Sequence, residues 1–223
     1  MFDHDHTLFP ILLSLRVASL ATLFSLLLGV PLALMLARAR FAGKEVLDVI
    51  LTLPLVLPPV VLGYLLLLAL SRHGPVGGPL SALGVSVLFT WEAAVIASTT
   101  AAIPFVIKTC RTAFEQVDPE LEATAKLLGH GRWGTFWHVT LPLARRGVLA
   151  GAVLGFARAM GEFGATLMLA SYTPGRTNTV ALEIYAATEA GETGRVAVLV
   201  ALLLGLSAII LYVANRIGPG SEH

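Results

Sequence analysis

Cysteine is almost missing from this sequence, and charge is scarce. The single cysteine, Cys110, rules out an intrachain disulfide and any multi-cysteine metal centre; near the inner end of an apolar block it reads as inert packing. Charged residues fill 13% of the 223 positions, where a soluble domain carries about a quarter. The G-x-x-x-x-G-K-[ST] phosphate loop is absent, because Gly129-His130-Gly131 and Gly191-Glu192-Thr193-Gly194 are too short and lack the lysine. No histidine falls in an apolar block, which removes the residue sets an intramembrane enzyme needs. No catalytic residue, metal site or bound cofactor is expected, and a net charge of +1 gives no reason to expect nucleic acid. Basic residues are also missing from Met1–His6, so the start fails the signal-peptide pattern and the first apolar segment is expected to remain a membrane span. His4 and His6 beside Asp3 and Asp5 have a metal-binding reading, against the plainer one of a solvated tail.

What the sequence has is apolar length. Hydrophobic residues make up 56% of it, gathered in five blocks at 10–37, 46–70, 83–112, 143–171 and 195–215. Each reaches the ~20 residues a helix needs to cross a bilayer. The expected fold is an all-α, polytopic helical membrane protein of about five transmembrane helices, one domain over 1–223. Long blocks, rather than short alternating segments, argue against a β-barrel. Basic residues cluster in the first and third connections (Arg38, Arg40, Lys44, Lys126, Arg132), which places these inside and the acidic N-terminus outside. Five spans then leave Arg216 and the C-terminus in the cytoplasm. No internal repeat supports an ion-coupled, inverted-repeat transporter.

The connection 113–141 carries the most local information. Asp118 suits a helix N-cap, Pro119 the first helical position, and Glu120 and Glu122 the positive end of the dipole. Gly129 supplies a left-handed stop. Leu121, Ala125 and Leu128 share a face. A second short helix is expected around 132–140, with Trp133 and Trp137 on it. Such a helix either rests on lipid headgroups or docks in a partner's groove. Pro142 is expected to open the fourth block.

Glu122-Ala123-Thr124-Ala125, then Gly129, then Val139-Thr140-Leu141-Pro142 ten residues on, resembles the EAA loop of ABC-importer permeases. Two departures are visible: the glutamate lies one residue further from the glycine than in the general pattern, and Thr124 interrupts the alanines. The resemblance implies an ATPase-docking segment of Leu121, Glu122, Ala123, Ala125, Leu128, Gly129, Leu141 and Pro142. It implies two copies of a separate ABC ATPase subunit holding ATP and Mg, a second copy of this chain, and an external oxyanion-binding protein. Leu53–Tyr64, with its Pro58-Pro59 pair, and Phe156–Thr166, with Gly161-Glu162-Phe163-Gly164, are similar to core helices of molybdate permeases. The implied activity is import of molybdate, or tungstate, through the cytoplasmic membrane by alternating access; sulfate permeases share the layout.

The same stretches have a physical reading of their own. Pro54, Pro58 and Pro59 must kink or interrupt the second block, which either shapes a pathway or is a packing kink. Gly147, Gly151, Gly155 and Ala159 form a small-residue ridge whose partner helix lies in this chain or across a dimer axis. Arg158 and Glu162 are a structural ion pair or lend potential to an anion path. Ser98, Thr99 and Thr100 line that path or bond back to their own helix. Gly164 joins Pro58, Pro59, Ser98, Thr99, Arg158 and Glu162 as a pathway candidate. In the outer connection, 180–187 is apolar enough for a short helix.

Overall fold

The computed structural model describes residues 4–217. The side chains of His4, His6 and Arg216, for which a metal reading and a cytoplasmic position are expected above, lie outside what is described. All regular structure among the described residues is helical. Helix α1 (His4–Arg38) is followed by α2 (Lys44–Thr52), a 3-10 turn (Leu53–Leu55), α3 (Pro59–Leu70) and α4 (Gly77–Ala82). Then come α5 (Trp91–Glu115), α6 (Pro119–Leu127), α7 (Arg132–Thr135), α8 (Leu141–Met160), α9 (Gly164–Ala170), α10 (Val180–Glu189) and α11 (Thr193–Ile217). Among the described residues, four helices are long and apolar enough to cross a membrane, or five if the bent pair α2–α3 counts as one.

Helix α1 is the ruler of the bundle. At one end Ser14 Oγ accepts the Val180 N–H that opens α10 (2.8 Å), and at the other Arg38 reaches Glu122 on α6 (3.1 Å). At 1.5 Å per residue these contacts stand about 36 Å apart, so α6 and α10 occupy opposite ends. Between them α1 packs on α5 and α8, α5 packs on α8 and α9, and α3 packs on α9.

Three apolar blocks differ from single helices, each for a local reason. The second is cut at Val56–Pro58, and α2 and α3 meet at 112°, where Pro58 and Pro59 remove two successive N–H donors. The third begins late. Leu83–Phe89 is not helical, the Phe89 N–H donates to Leu169 O (2.8 Å), and α5 starts only after Thr90, whose hydroxyl caps it from Ala93 N–H (3.4 Å). The fourth stops at Met160 and resumes at Gly164.

The expected second helix around 132–140 does not stand apart. Helix α7 runs through a π turn (Phe136–Thr140) directly into α8, a continuous helix from Arg132 to Met160. Pro142 therefore lies inside a helix and not at its start. A proline ring there would press on the carbonyl four residues back, and the wider π turn just before it relieves that crowding.

The glycine ridge of α8 faces α5 of the same chain, which settles the choice the sequence left open. A Cβ on Gly147 would overlap the Ala113 Cβ, one on Gly151 would sit 3.1 Å from Cys110 Sγ, and one on Gly155 2.9 Å from Val106 Cγ2. Cys110 is buried in this seam, as expected of packing. Ala159 continues the seam into a cluster with Ala18, Ala21, Ala102 and Met160. Close backbone approach supplies the van der Waals contact that holds helices together where lipid removes the hydrophobic difference. Gly147→Ala is expected to cost about 1–3 kcal/mol by overpacking. Adding Ala113→Gly should restore the lost stability, as read from the thermal unfolding midpoint of each detergent-solubilised variant.

Candidate functional site

At one end of the bundle α6 is a nine-residue helix with both ends satisfied. Asp118 Oδ1 accepts the Glu120 N–H (2.9 Å) and Pro119 occupies the first turn. At the other end Gly129 adopts φ 91°, its N–H donates to Lys126 O (3.1 Å), and the His130 N–H donates to Ala125 O (3.1 Å). This paired closure is the Schellman arrangement, which requires a left-handed residue and so favours glycine.

Burial divides the residues that carry the EAA-like resemblance. Glu122 and Ala125 face inward at 9% and 6% exposure, whereas Leu121, Ala123 and Leu128 face outward. Leu128 is 78% exposed and Leu127 89%, so a nine-residue helix carries large apolar side chains into open space. Glu122 works as a clamp: Oε1 takes Arg38 Nη2 at 3.1 Å and the Thr140 hydroxyl at 2.8 Å. Arg38 Nη2 also donates to Val117 O (2.8 Å). One carboxylate thereby ties α6 to the end of α1 and to the π turn that opens α8. Leu141 is half-buried and Pro142 exposed on the first turn of α8. Trp133 and Trp137 remain exposed, with Phe136 between them packed edge-on to Phe114 of α5.

Away from the α6 end the two broken elements come into close contact. A Cβ on Gly164 would lie 2.8 Å from Pro59 Cβ, and one on Gly63 2.8 Å from Ala165 Cα. Pro58, Pro59 and Gly164 are thus brought together, with Glu162 just ahead of α9. Glu162 is buried; Oε1 accepts the Ala165 N–H at 2.8 Å, and Oε2 lies 2.7 Å from Arg158 Nη2. The carboxylate stabilises the positive end of α9 and pairs with an arginine whose side chain is only 26% exposed. Of the two readings open for Ser98, Thr99 and Thr100, the bond back to their own helix is the one seen for the threonines. Ser98 is buried, and Thr99 and Thr100 return their hydroxyls to Val95 O (2.7 Å) and Ile96 O (2.8 Å).

Two polar clusters went unread in the sequence. Asp48 on α2 holds Lys108 Nζ (3.1 Å) and Arg111 Nη1 (3.0 Å) of α5, fastening the bent pair to the bundle. At the α10 end Glu183 is 1% exposed and takes Arg195 Nη2 and Asn178 Nδ2 (2.8 Å). The Tyr172 hydroxyl reaches the same carboxylate, and its pKa is raised by burial and then by the Glu183 charge. Nothing in the residues next to Glu183 marks it as buried. Asn178 five residues before it, and Arg195 twelve after, were the available hints.

The site is thus a capped helix carried at one end of an apolar bundle, with two broken helices in close contact along it. Residues 29–219 match the family described as binding-protein-dependent transport system inner membrane component, and the chain belongs to it. Among its relatives, the molybdenum transport system permease protein ModB of Escherichia coli K12 is 47% identical over 187 residues, 82% of each chain. ModB of Haemophilus influenzae is 44% identical over 204 residues, 89% of each. The fold is similar to that of a bacterial alginate ABC transporter solved with its periplasmic protein (TM-score 0.76, 22% identity, 97% of this chain and 79% of that one). It is also similar to the inward-facing MetNI methionine ABC transporter (TM-score 0.75, 17% identity, 95% and 94%).

Proposed function

We propose that this chain is the multi-pass inner-membrane permease subunit of an ATP-driven importer that carries molybdate. One observation carries the mechanical half of this reading: α6 is fully capped, held to α1 and α8 by Glu122, and presents Leu121, Leu127 and Leu128 outward. Exposed leucines on a helix outside an apolar bundle need a partner's groove. The partner is an ABC ATPase subunit, two copies serving two copies of this permease, with ATP and Mg bound on the ATPase. The α6 end and the C-terminus then face the cytoplasm, and the α10 end faces the external oxyanion-binding protein. Relatedness to molybdenum permeases supports the choice of ion, with tungstate a chemical twin and sulfate the competing substrate.

The pathway is assigned to the crossing of α3 and α9. Arg158 offers positive potential to a dianion, and Glu162 tempers it, since a conducting site must release what it binds. Replacing Leu121 and Leu128 together by aspartate is expected to act on ATP hydrolysis only through the contact between this chain and the ATPase. In liposomes containing the whole complex, it should abolish stimulation of that hydrolysis by the loaded binding protein. Normal stimulation would place the docking surface elsewhere. In the same liposomes molybdate is expected to stimulate more than sulfate; the reverse order would overturn the ion alone.

A further inference from the structure

Between the last turns of α1 and the α6–α7 corner lies an open groove of about 600 Å³. Its floor is apolar, laid by Val30, Pro31, Leu34 and Met35 along one side of α1. Its rim is basic: Arg38, Lys126 and Arg132 stand against one carboxylate, Glu122, already matched by Arg38. Two buried polar atoms in this lining lack a partner among the described residues, Thr135 Oγ1 and Arg38 Nε. Thr135 is 3% exposed. Thr99, Thr100, Thr112 and Thr124 all spend their hydroxyls on the carbonyl four residues back, and Thr135 does not. An unmet buried donor is costly, so the groove has the form of a site whose occupant supplies the acceptor.

The occupant's chemistry follows from the lining. Two unmet donors and two further cations call for an anionic head with several oxygens. The apolar floor calls for a chain running beside α1, where Val30 to Arg38 spans about 12 Å. Trp133, 77% exposed at the mouth, marks the depth at which headgroups meet acyl chains. We propose that this groove binds an anionic phospholipid from the leaflet on the α6 side. Lys126, Arg132 and the Thr135 hydroxyl hold its phosphate, and one acyl chain lies on α1. The proposal rests on α1 crossing the membrane; it does not depend on which ion is carried or on the docking of α6.

The test uses the full-length chain, extracted from nanodiscs of equal phosphatidylglycerol and phosphatidylcholine and examined by native mass spectrometry. Phosphatidylglycerol is expected to be retained over phosphatidylcholine. Lys126→Gln and Arg132→Gln should each lower that preference by roughly fivefold. Thr135→Val, which keeps the shape, should lower it without lowering the melting temperature. Equal retention of the two lipids, or undiminished preference in all three variants, would overturn the proposal. So would displacement by glycerol phosphate as readily as by intact lipid, which would point to a soluble phosphate ligand. Loss of the lipid when the ATPase binds would assign the groove to that subunit.

Discussion

Glu122→Ala is expected to lower stability by about 3 kcal/mol, the low end of the range for removing one partner of a buried ion pair. The low end applies because the Arg38 side chain retains 26% exposure and some access to water. The loss has three parts: Arg38 Nη2 keeps only the Val117 carbonyl, the Thr140 hydroxyl loses its acceptor, and α6 loses its tie to the π turn. Glu122→Gln keeps a carbonyl oxygen for both donors and removes only the charge, so it should cost about half as much. Glu122→Met combined with Arg38→Met should cost less than the sum of the two single changes, because no uncompensated charge remains. Thermal unfolding of the five variants, the two single methionine changes included, checks the ordering. Purely additive losses would show that the carboxylate and the guanidinium act independently. Uptake per ATP hydrolysed should fall in Glu122→Ala at temperatures where the bundle is still folded.

Gly164→Val should abolish transport through packing and not through charge. The new side chain would meet the Pro59 ring at 2.8 Å and the backbone of Pro59 and Val60 at 3.3 Å. None of these atoms belongs to a flexible side chain, so α3 and α9 must separate, at a cost of about 1–3 kcal/mol. Gly161→Ala provides the control. It lies in the same break, yet a Cβ there comes no closer than 3.7 Å to the Ala157 carbonyl oxygen, and uptake should be close to that of the unmodified protein. If the two positions respond alike in vesicle uptake, the close crossing is not what limits the path.

Local rules made much of this chain legible. The Asp118 cap, the Gly129 stop and the proline interruption before α3 follow from residues within a turn of each event, and each stands where those residues place it. What escaped depends on partners distant in sequence. The inward turn of Glu122 is decided by Arg38, 84 positions away, and by Thr140 across the loop. The glutamate of the EAA-like signature therefore fastens α6 from behind, while leucines form its outer face. The glycine ridge announced a close helix contact, and only the fold could say that Ala113 and Val106 of α5 receive it. Breaks at Leu83–Phe89 and Gly161–Phe163 were hidden because apolar composition continues across them. The backbone there is set by the Phe89–Leu169 hydrogen bond and by Glu162 capping α9.

The continuous helix from Arg132 to Met160 also sets a mechanical ratio. Its tightest seat is the glycine ridge centred on Gly151, pressed against α5. From that seat to Arg132 is about 28 Å and to Met160 about 14 Å, at 1.5 Å per residue. Any tilt of the rod about this fulcrum halves a displacement applied at the α6–α7 end before it arrives beside Glu162, and doubles the force. A displacement of a few ångströms at the α6 end would thus become a short, strong movement at the break. That suits prying apart two helices whose backbones nearly touch.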